Sequence, residues 1–310
     1  MKILIELPTW LGDTVMVTPA IENLISNYSE PDITLIGTKP SIELLKNLKH
    51  VNKTQHIEKS YLSIYKISKK LGEFDIFFSF RESFRSKYLK YQVCSKNKFK
   101  FKRSRYESLH QVEKYNQFIN DSLKTNFKPG KLIINSGFVK NNIRLKPILG
   151  INPGASYGSA KMWYPEEFAK VAEKLSNKYD ILIFGSNNEQ GIANEIENLL
   201  IKKGVFNVKN YAGKTSISEL VSYISETHLF ITGDTGSMHL AATFQIPSVT
   251  IFGPTIEKET SQWMNKQSIV VKKDLSCQPC MQKVCPLGHH NCMKLIMADE
   301  VLDAVKSLKL

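Results

Sequence analysis

The stretch GDTGSMH, residues 233–239, puts a carboxylate, two hydroxyls, two glycines and an imidazole between the apolar runs 228–231 and 247–252. If the first run is a buried strand and a helix begins at Gly236, this is the turn that joins them. Gly236 permits close backbone approach, the first helical amides are free N–H donors, and the helix dipole is positive there, which together suit a phosphate. Thr235 adds a hydroxyl, and His239 lies one helical turn on. A reading without any ligand is also open: Asp234 or Thr235 caps the helix, and His239 is a polar spot near the surface.

A second polar loop, NPGASYGSAK at 152–161, follows another apolar run and offers the Ser156 and Tyr157 hydroxyls and the Lys161 ammonium. Lys161 suits a diphosphate, or is one of many solvated lysines. A third, LPTWLGDTV at 7–15, carries Asp13. A carboxylate there can remove the proton of an attacking hydroxyl, or it can cap a helix with help from Thr14. The chain has neither a G-x-x-x-x-G-K-[ST] loop nor a G-x-G-x-x-G fingerprint. That argues against a P-loop NTPase and a dinucleotide enzyme. A nucleotide diphosphate held without a P-loop points to sugar transfer.

The elements that must hold these loops follow a repeated alternation. Strands are expected at 2–7, 33–36 and 74–79, with helical spacing through Val17, Ile21, Leu24, Ile25 and Tyr28. The rhythm restarts after about residue 137, with strands at 148–151, 180–184, 229–231 and 248–252 and helices at 166–175, 192–201 and 217–224. Two parallel, doubly wound α/β domains are the reading, with a boundary in the polar, basic stretch 136–148. Ile296, Val301, Val305 and Leu308 mark a final amphipathic helix. Ligands of such sheets bind at the carboxyl ends of strands, so all three loops are expected to face one cleft.

With 310 residues, 42% of them hydrophobic, the chain is long enough for two cores. No apolar stretch reaches the roughly 18 residues that span a bilayer, and no signal-peptide core precedes Gly12 and Asp13, so a soluble intracellular protein is expected. Lys and Arg number 42 against 29 acidic residues, net +13, which favours an anionic partner. The run 96–105 concentrates this charge in Lys96, Lys98, Lys100, Lys102, Arg103 and Arg105, with Phe99 and Phe101 alternating to the other face as in an edge strand. That run either orients the protein on an anionic surface or is a solvated edge that prevents aggregation. Four of five cysteines, Cys277, Cys280, Cys285 and Cys292, crowd near the end. Cys277 and Cys280 make a fair zinc half-site, but the second half is irregular, so less than one tightly bound zinc per chain is expected.

LGDTVMVTPAI, NPGASYGSAKMWYPEEFAKVA and TGDTGSMHLAATFQIPSVTIFGPT resemble the lipopolysaccharide heptosyltransferases, glycosyltransferase family 9. The PGASYG-AK-W form and the SCQPC…CPLGHHNCM tail are similar to the heptosyltransferase II branch. The resemblance implies a GT-B fold: an acceptor-side Rossmann-like domain at 1–140, an ADP-heptose-binding one at 141–295, and a helix at 296–310 packing across them. It implies inverting, metal-independent transfer of L-glycero-D-manno-heptose from ADP-heptose to a heptosylated Kdo–lipid A core, adding the second heptose. No cofactor and no nucleic acid are implied, and the work would be done at the cytoplasmic face of the inner membrane. Carried over by motif, Asp13 is the general base. Ser156 and Lys161 hold the diphosphate with Asp234, Thr235, Gly236 and His239; Glu189 contacts the ribose; Lys214 and Thr215 lie near the adenine. Ser83, Arg85 and Ser86, after a strand end, are expected to help hold the acceptor. Two alternatives remain at this point. Another family-9 transferase, heptosyltransferase I or III, shares every donor motif. A basic nucleic-acid-binding protein with a zinc module explains the charge and cysteines, but leaves Asp13, Lys161 and the DTGSMH turn unexplained.

Overall fold

Ile3, Leu4 and Ile5 in KILIE, and Phe77 and Phe78 in EFDIFFS, are buried, which is what strands covered on both faces require. They form two of the three inner strands of a five-stranded parallel sheet. The structure, a computed structural model, describes residues 1–134 and 146–308. The chain divides into two compact units, Met1–Gly137 and Phe138–Leu310. The expected boundary falls largely on 135–145, outside the described residues.

Unit 1 holds β1 (Lys2–Glu6), β2 (Asp32–Gly37), β3 (Val51–His56), β4 (Glu73–Ser79) and β5 (Cys94–Lys100), in the order β3-β2-β1-β4-β5, with every pairing parallel. Its helices are α1 (Leu11–Met16), α2 (Thr18–Ser26), α3 (Lys39–Leu45), α4 (Tyr61–Leu71), α5 (Phe84–Gln92) and α6 (Gln111–Leu123). Ile21, Leu24 and Ile25 form the buried stripe of α2. Beside β4, an aromatic cluster locks α6 in place: Phe80 meets Phe118 and Tyr115, and Phe101 lies 4.9 Å from Tyr115.

Unit 2 holds β6 (Ile148–Asn152), β7 (Asp180–Ile183), β8 (Val208–Asn210), β9 (Leu229–Gly233), β10 (Ser248–Ile251) and β11 (Ser268–Val271), in the order β11-β10-β9-β6-β7-β8, again all parallel. Its helices are α7 (Pro165–Leu175), α8 (Gln190–Lys202), α9 (Ile217–Ser225), α10 (Gly236–Thr243), α11 (Glu257–Thr260), α12 (Asn291–Lys294) and α13 (Ala298–Ser307). Gly150 of β6 faces the Phe230 ring across the β6–β9 pairing, where an added Cβ would lie 2.5 Å from the ring.

The final helix, expected at 296–310 to pack across the domains, belongs to unit 2. Val301, Ala304, Val305 and Leu308 join that unit's core beside α7, β10 and β11, because this is where its apolar stripe finds apolar surface. Glu167 of α7 accepts the Ala298 N–H at 2.7 Å, satisfying an amide at the start of α13, and the Trp163 indole donates to the Ile296 carbonyl. Both sheets reverse their strand order between the first and fourth strands, β1/β4 and β6/β9. Those are the positions where open α/β sheets bind ligands.

Candidate active site

At the reversal in unit 2, β6 ends in Asn152 and β9 in Gly233. The Asn152 amide donates to the Phe184 carbonyl at 3.0 Å, and its carbonyl oxygen accepts from the Thr235 hydroxyl at 3.3 Å, so the two strand ends are tied together. The loop after β6 turns at Lys161, whose Nζ lies 2.5 Å from Asp234 Oδ2 and 4.8 Å from the centre of the Tyr157 ring. Side-chain exposures of 12% for Lys161 and 7% for Asp234 make this a buried ion pair. The Thr255 hydroxyl donates to the same Asp234 oxygen at 2.7 Å. Asp234 therefore positions an ammonium and does not cap the helix.

Thr235 stands at the N-cap of α10 but makes no side-chain cap bond, leaving the first amides of the helix to another acceptor. His239 is 3% exposed, so the surface reading of it fails: the side chain is enclosed with the buried face of α10. Glu189 closes the other side of the loop. Its carboxylate accepts from the Ser186 N–H at 2.6 Å and the Ser156 hydroxyl at 3.4 Å, and it lies so close over Gly154 that a Cβ there would stand 2.2 Å from its Cδ. Lys214 is exposed and donates to the Asn210 carbonyl; Thr215 is half-buried beside it.

At the reversal in unit 1, Asp13 sits in the first turn of α1, whose N-cap residue is Trp10 with no side-chain cap bond. Asp13 is thus not the N-cap residue itself, though an acid in the first turn is favoured by the helix dipole. The Tyr115 hydroxyl donates to Asp13 Oδ1 at 2.9 Å. Burial, and then the Asp13 charge and hydrogen bond, push the Tyr115 phenol well above its ordinary 10, so it stays a donor.

Nearby lies a group that the sequence reading missed. Glu6, at the end of β1 and 3% exposed, accepts from the Ser79 hydroxyl at 2.5 Å and the Ser86 hydroxyl at 2.9 Å, with Arg81 Nη1 at 3.7 Å. Burial raises the Glu6 carboxyl pKa against the opposing pull of Arg81 and the two serines. Arg81 Nε donates to the Leu7 carbonyl at 2.6 Å, while its Nη2 is buried with no partner among the described residues. A lone carboxylate inside an apolar strand is the signal that a partner must exist.

The family model for glycosyltransferase family 9 (heptosyltransferase) matches residues 79–291. Lipooligosaccharide heptosyltransferase 2 of Campylobacter jejuni is 43% identical, covering 99% of this chain and 98% of that one. The chain belongs to glycosyltransferase family 9. The structure of Escherichia coli ADP-heptose lps heptosyltransferase II superposes with a TM-score of 0.80 at 22% identity, covering 99% and 98% of the two chains. That of an E. coli heptosyltransferase with ADP gives 0.78 at 14% identity, covering 99% of each. The fold is GT-B.

In this family-9 chain the structure gathers Ser156, Lys161, Glu189, Asp234, Thr235 and Gly236 at the unit 2 strand ends. Of the expected acceptor residues, Ser86 is corrected: it is fully buried and spends its hydroxyl on Glu6. Ser83 caps α5, accepting the Ser86 N–H, and Arg85 donates to the Lys59 carbonyl. Sequence reasoning also missed what the cysteine segment does. Tyr157 donates to the Met281 carbonyl, Ala160 N–H to the Lys283 carbonyl, and the His290 ring contacts the Ala160 carbonyl and the Tyr164 hydroxyl. The segment therefore braces the donor loop.

Cys277, Cys280, Cys285 and Cys292 line one small pocket of about 20 Å³, with His289 and His290. Among the described residues no three His, Cys, Asp or Glu side chains are placed to hold a metal ion. Burial and then the neighbouring thiols push Cys292 up to about 11, while backbone N–H groups, that of His290 first, lower Cys285. The five cysteines form no disulfide. No helix among the described residues is long and apolar enough to cross a membrane.

Proposed function

We propose that this family-9 glycosyltransferase moves L-glycero-D-manno-heptose from ADP-heptose to a heptosylated Kdo–lipid A inner core, adding the second heptose. Inversion at the anomeric carbon and independence from metal complete the reading. The observation that carries it is the buried Lys161–Asp234 pair beside the uncapped start of α10, at the strand-order reversal of unit 2. Fixed positive charge and free amides there suit a leaving diphosphate. The Campylobacter relative bears the name of the second-heptose transferase over nearly its whole length, which supports the choice of step.

In the reaction the acceptor hydroxyl oxygen bonds to the anomeric carbon and the bond from that carbon to the β-phosphate oxygen breaks. Its electron pair leaves with ADP, and the hydroxyl proton passes to the Asp13 carboxylate. Lys161 and the amides of α10 meet the charge that grows on ADP, the work a divalent ion does elsewhere. Ser156 joins them, Glu189 contacts the ribose, and Lys214 and Thr215 lie near the adenine. Tyr115 holds Asp13 in place by donating to its Oδ1. Such general-base help contributes roughly a hundred- to ten-thousand-fold. Ser83 and Arg85 contribute on the acceptor side, and the enzyme works at the cytoplasmic face of the inner membrane without binding nucleic acid.

The test is ADP release by the purified protein, given ADP-heptose and defined cores with chelator present. Turnover on the mono-heptosylated core and none on the heptose-free core is expected. Preference for the heptose-free core would assign the chain to the first-heptose step instead, and no release with any core would end the reading.

A further inference from the structure

Helices α4 and α5 lie side by side, joined by an edge-to-face contact of Tyr61 with Tyr88 at 5.3 Å. Their inner faces bury Ile64, Ser68, Ser86 and Leu89. Five large apolar side chains of the two helices are nonetheless exposed: Tyr61 and Tyr65, which flank the buried side of α4, Leu62 on α4, and Phe84 (85% exposed) and Tyr91 (81%) on α5. Single exposed apolar residues are ordinary. Here they recur at helical spacing, 61/65 and 84/91, so each helix presents a stripe.

The same two helices carry Lys66, Lys69, Lys70, Arg85, Lys87 and Lys90, and neither contains an aspartate or glutamate. The flanking acids are Glu58, Glu73 and Glu82, and Glu82 accepts the Arg103 N–H. Lys90 also reaches a neighbouring open pocket of about 580 Å³, lined by Lys98, Lys100, Lys102 and Arg105 against Glu82 and Asp121. The basic surface thus continues from α5 past the edge strand β5. By contrast, Lys96 of the basic run is paired with Asp75 at 2.7 Å.

We propose that the outer face of α4 and α5 docks unit 1 on an anionic phospholipid surface. Aromatic rings settle at headgroup depth, lysine stems lie along apolar surface with their ammonium groups in the phosphates, and each cation adds to the attraction. Charge complementarity selects this occupant. A second copy of the chain would set six cations against six with no acid between them. Because α4 and α5 follow β3 and β4, Tyr61, Leu62 and Phe84 stand at the carboxyl edge of the sheet, the edge that carries Asp13 and Arg81. A lipid-anchored acceptor would be delivered to that edge. The inference rests on the lipid-anchored acceptor of the proposed function.

The test is co-sedimentation of the full chain with phosphatidylcholine vesicles, with and without phosphatidylglycerol. Binding that needs the anionic lipid is expected. K66Q/K69Q/K70Q should weaken it roughly a hundred-fold, about five-fold per cation, and F84S/Y91S should weaken it at unchanged charge. K202Q/K266Q in unit 2 should leave it unaltered, and all variants should melt like the parent. No binding to anionic vesicles, equal binding to neutral ones, or equal loss in K202Q/K266Q would overturn the proposal. So would tighter binding of an RNA or DNA oligomer to the same face, lost in F84S/Y91S. Turnover on a water-soluble, deacylated acceptor separates the two readings: the docking variants should keep it. A parent inactive on that acceptor yet bound to vesicles would sink the transferase reading alone, and a parent active on it yet not bound would sink the docking alone.

Discussion

Replacing Lys161 by alanine acts on two quantities that the structure lets one separate. Lys161 and Asp234 are both buried, and Thr255 is the other group that donates to the shared carboxylate oxygen. Lys161→Ala therefore strands a buried charge, which costs about 3–5 kcal/mol. At about 2–4 °C per kcal/mol for a domain of this size, melting should fall by roughly 6–20 °C. Asp234→Asn in the same chain removes the stranded charge, so the double variant should recover most of that loss. Binding should not recover. A charge-assisted bond to the diphosphate is worth about 1.5–3 kcal/mol, so the double variant should bind ADP roughly ten- to a hundred-fold more weakly by calorimetry. Asp234→Asn alone, which frees the ammonium, should bind ADP at least as tightly as the parent. A double variant that melts normally and binds ADP like the parent would remove Lys161 from the site.

Three further outcomes are expected. Asp13→Asn keeps the acceptor for Tyr115 and should stay folded and bind ADP-heptose, yet lose turnover by roughly two to four powers of ten, measured with the true acceptor; steady-state rates near the parent would return Asp13 to a structural role. Elemental analysis of protein purified without added metal should show less than one zinc per chain; a full equivalent, lost together with stability on chelation, would refute this. The Glu6 carboxyl is raised above its ordinary 4.5, so its favourable contribution is complete below that value and is lost as pH rises through the folded pKa. Urea titrations from pH 4 upward should thus show the parent losing stability relative to Glu6→Gln, and a difference independent of pH would show that burial does not raise the group.

What could be read in the sequence was what burial on both faces enforces. β1, β4, β6, β7, β9 and β10 are apolar runs, and their positions were plain. β3 reads VNKTQH and is mostly exposed, β8 has three residues, and β11 lies at a sheet edge; each is held by its neighbour's backbone rather than by its own pattern. Of the site, the loops after β6 and β9 were legible because glycine, lysine and hydroxyl types cluster there. Their partners were not. Tyr115 reaches Asp13 across 102 positions, and His290 reaches Ala160 across 130, and no local spacing announces either. Ser86 looked like a ligand because it follows a strand end, but a hydroxyl in that place serves a buried carboxylate equally well.

The two strand-order reversals carry the same kind of group with the charges exchanged. In unit 1 the acid, Glu6, ends the first strand and the cation, Arg81, follows the fourth; in unit 2 the cation, Lys161, follows the first strand and the acid, Asp234, follows the fourth. Stability does not account for either pair, since taking two charges out of water costs several kcal/mol per ion and apolar replacements are often neutral or better. The pairs differ in what is left over. Glu6 has both oxygens engaged by serines, so Arg81 is the unspent partner, with Nη2 unmatched among the described residues. Asp234 retains a second donor in Thr255, so it stays satisfied in part when Lys161 turns to another anion. Each arrangement fixes a cation at a strand end without giving all its donors away. Under the proposed transfer, the cation of unit 2 would serve the diphosphate donor and that of unit 1 an acidic acceptor.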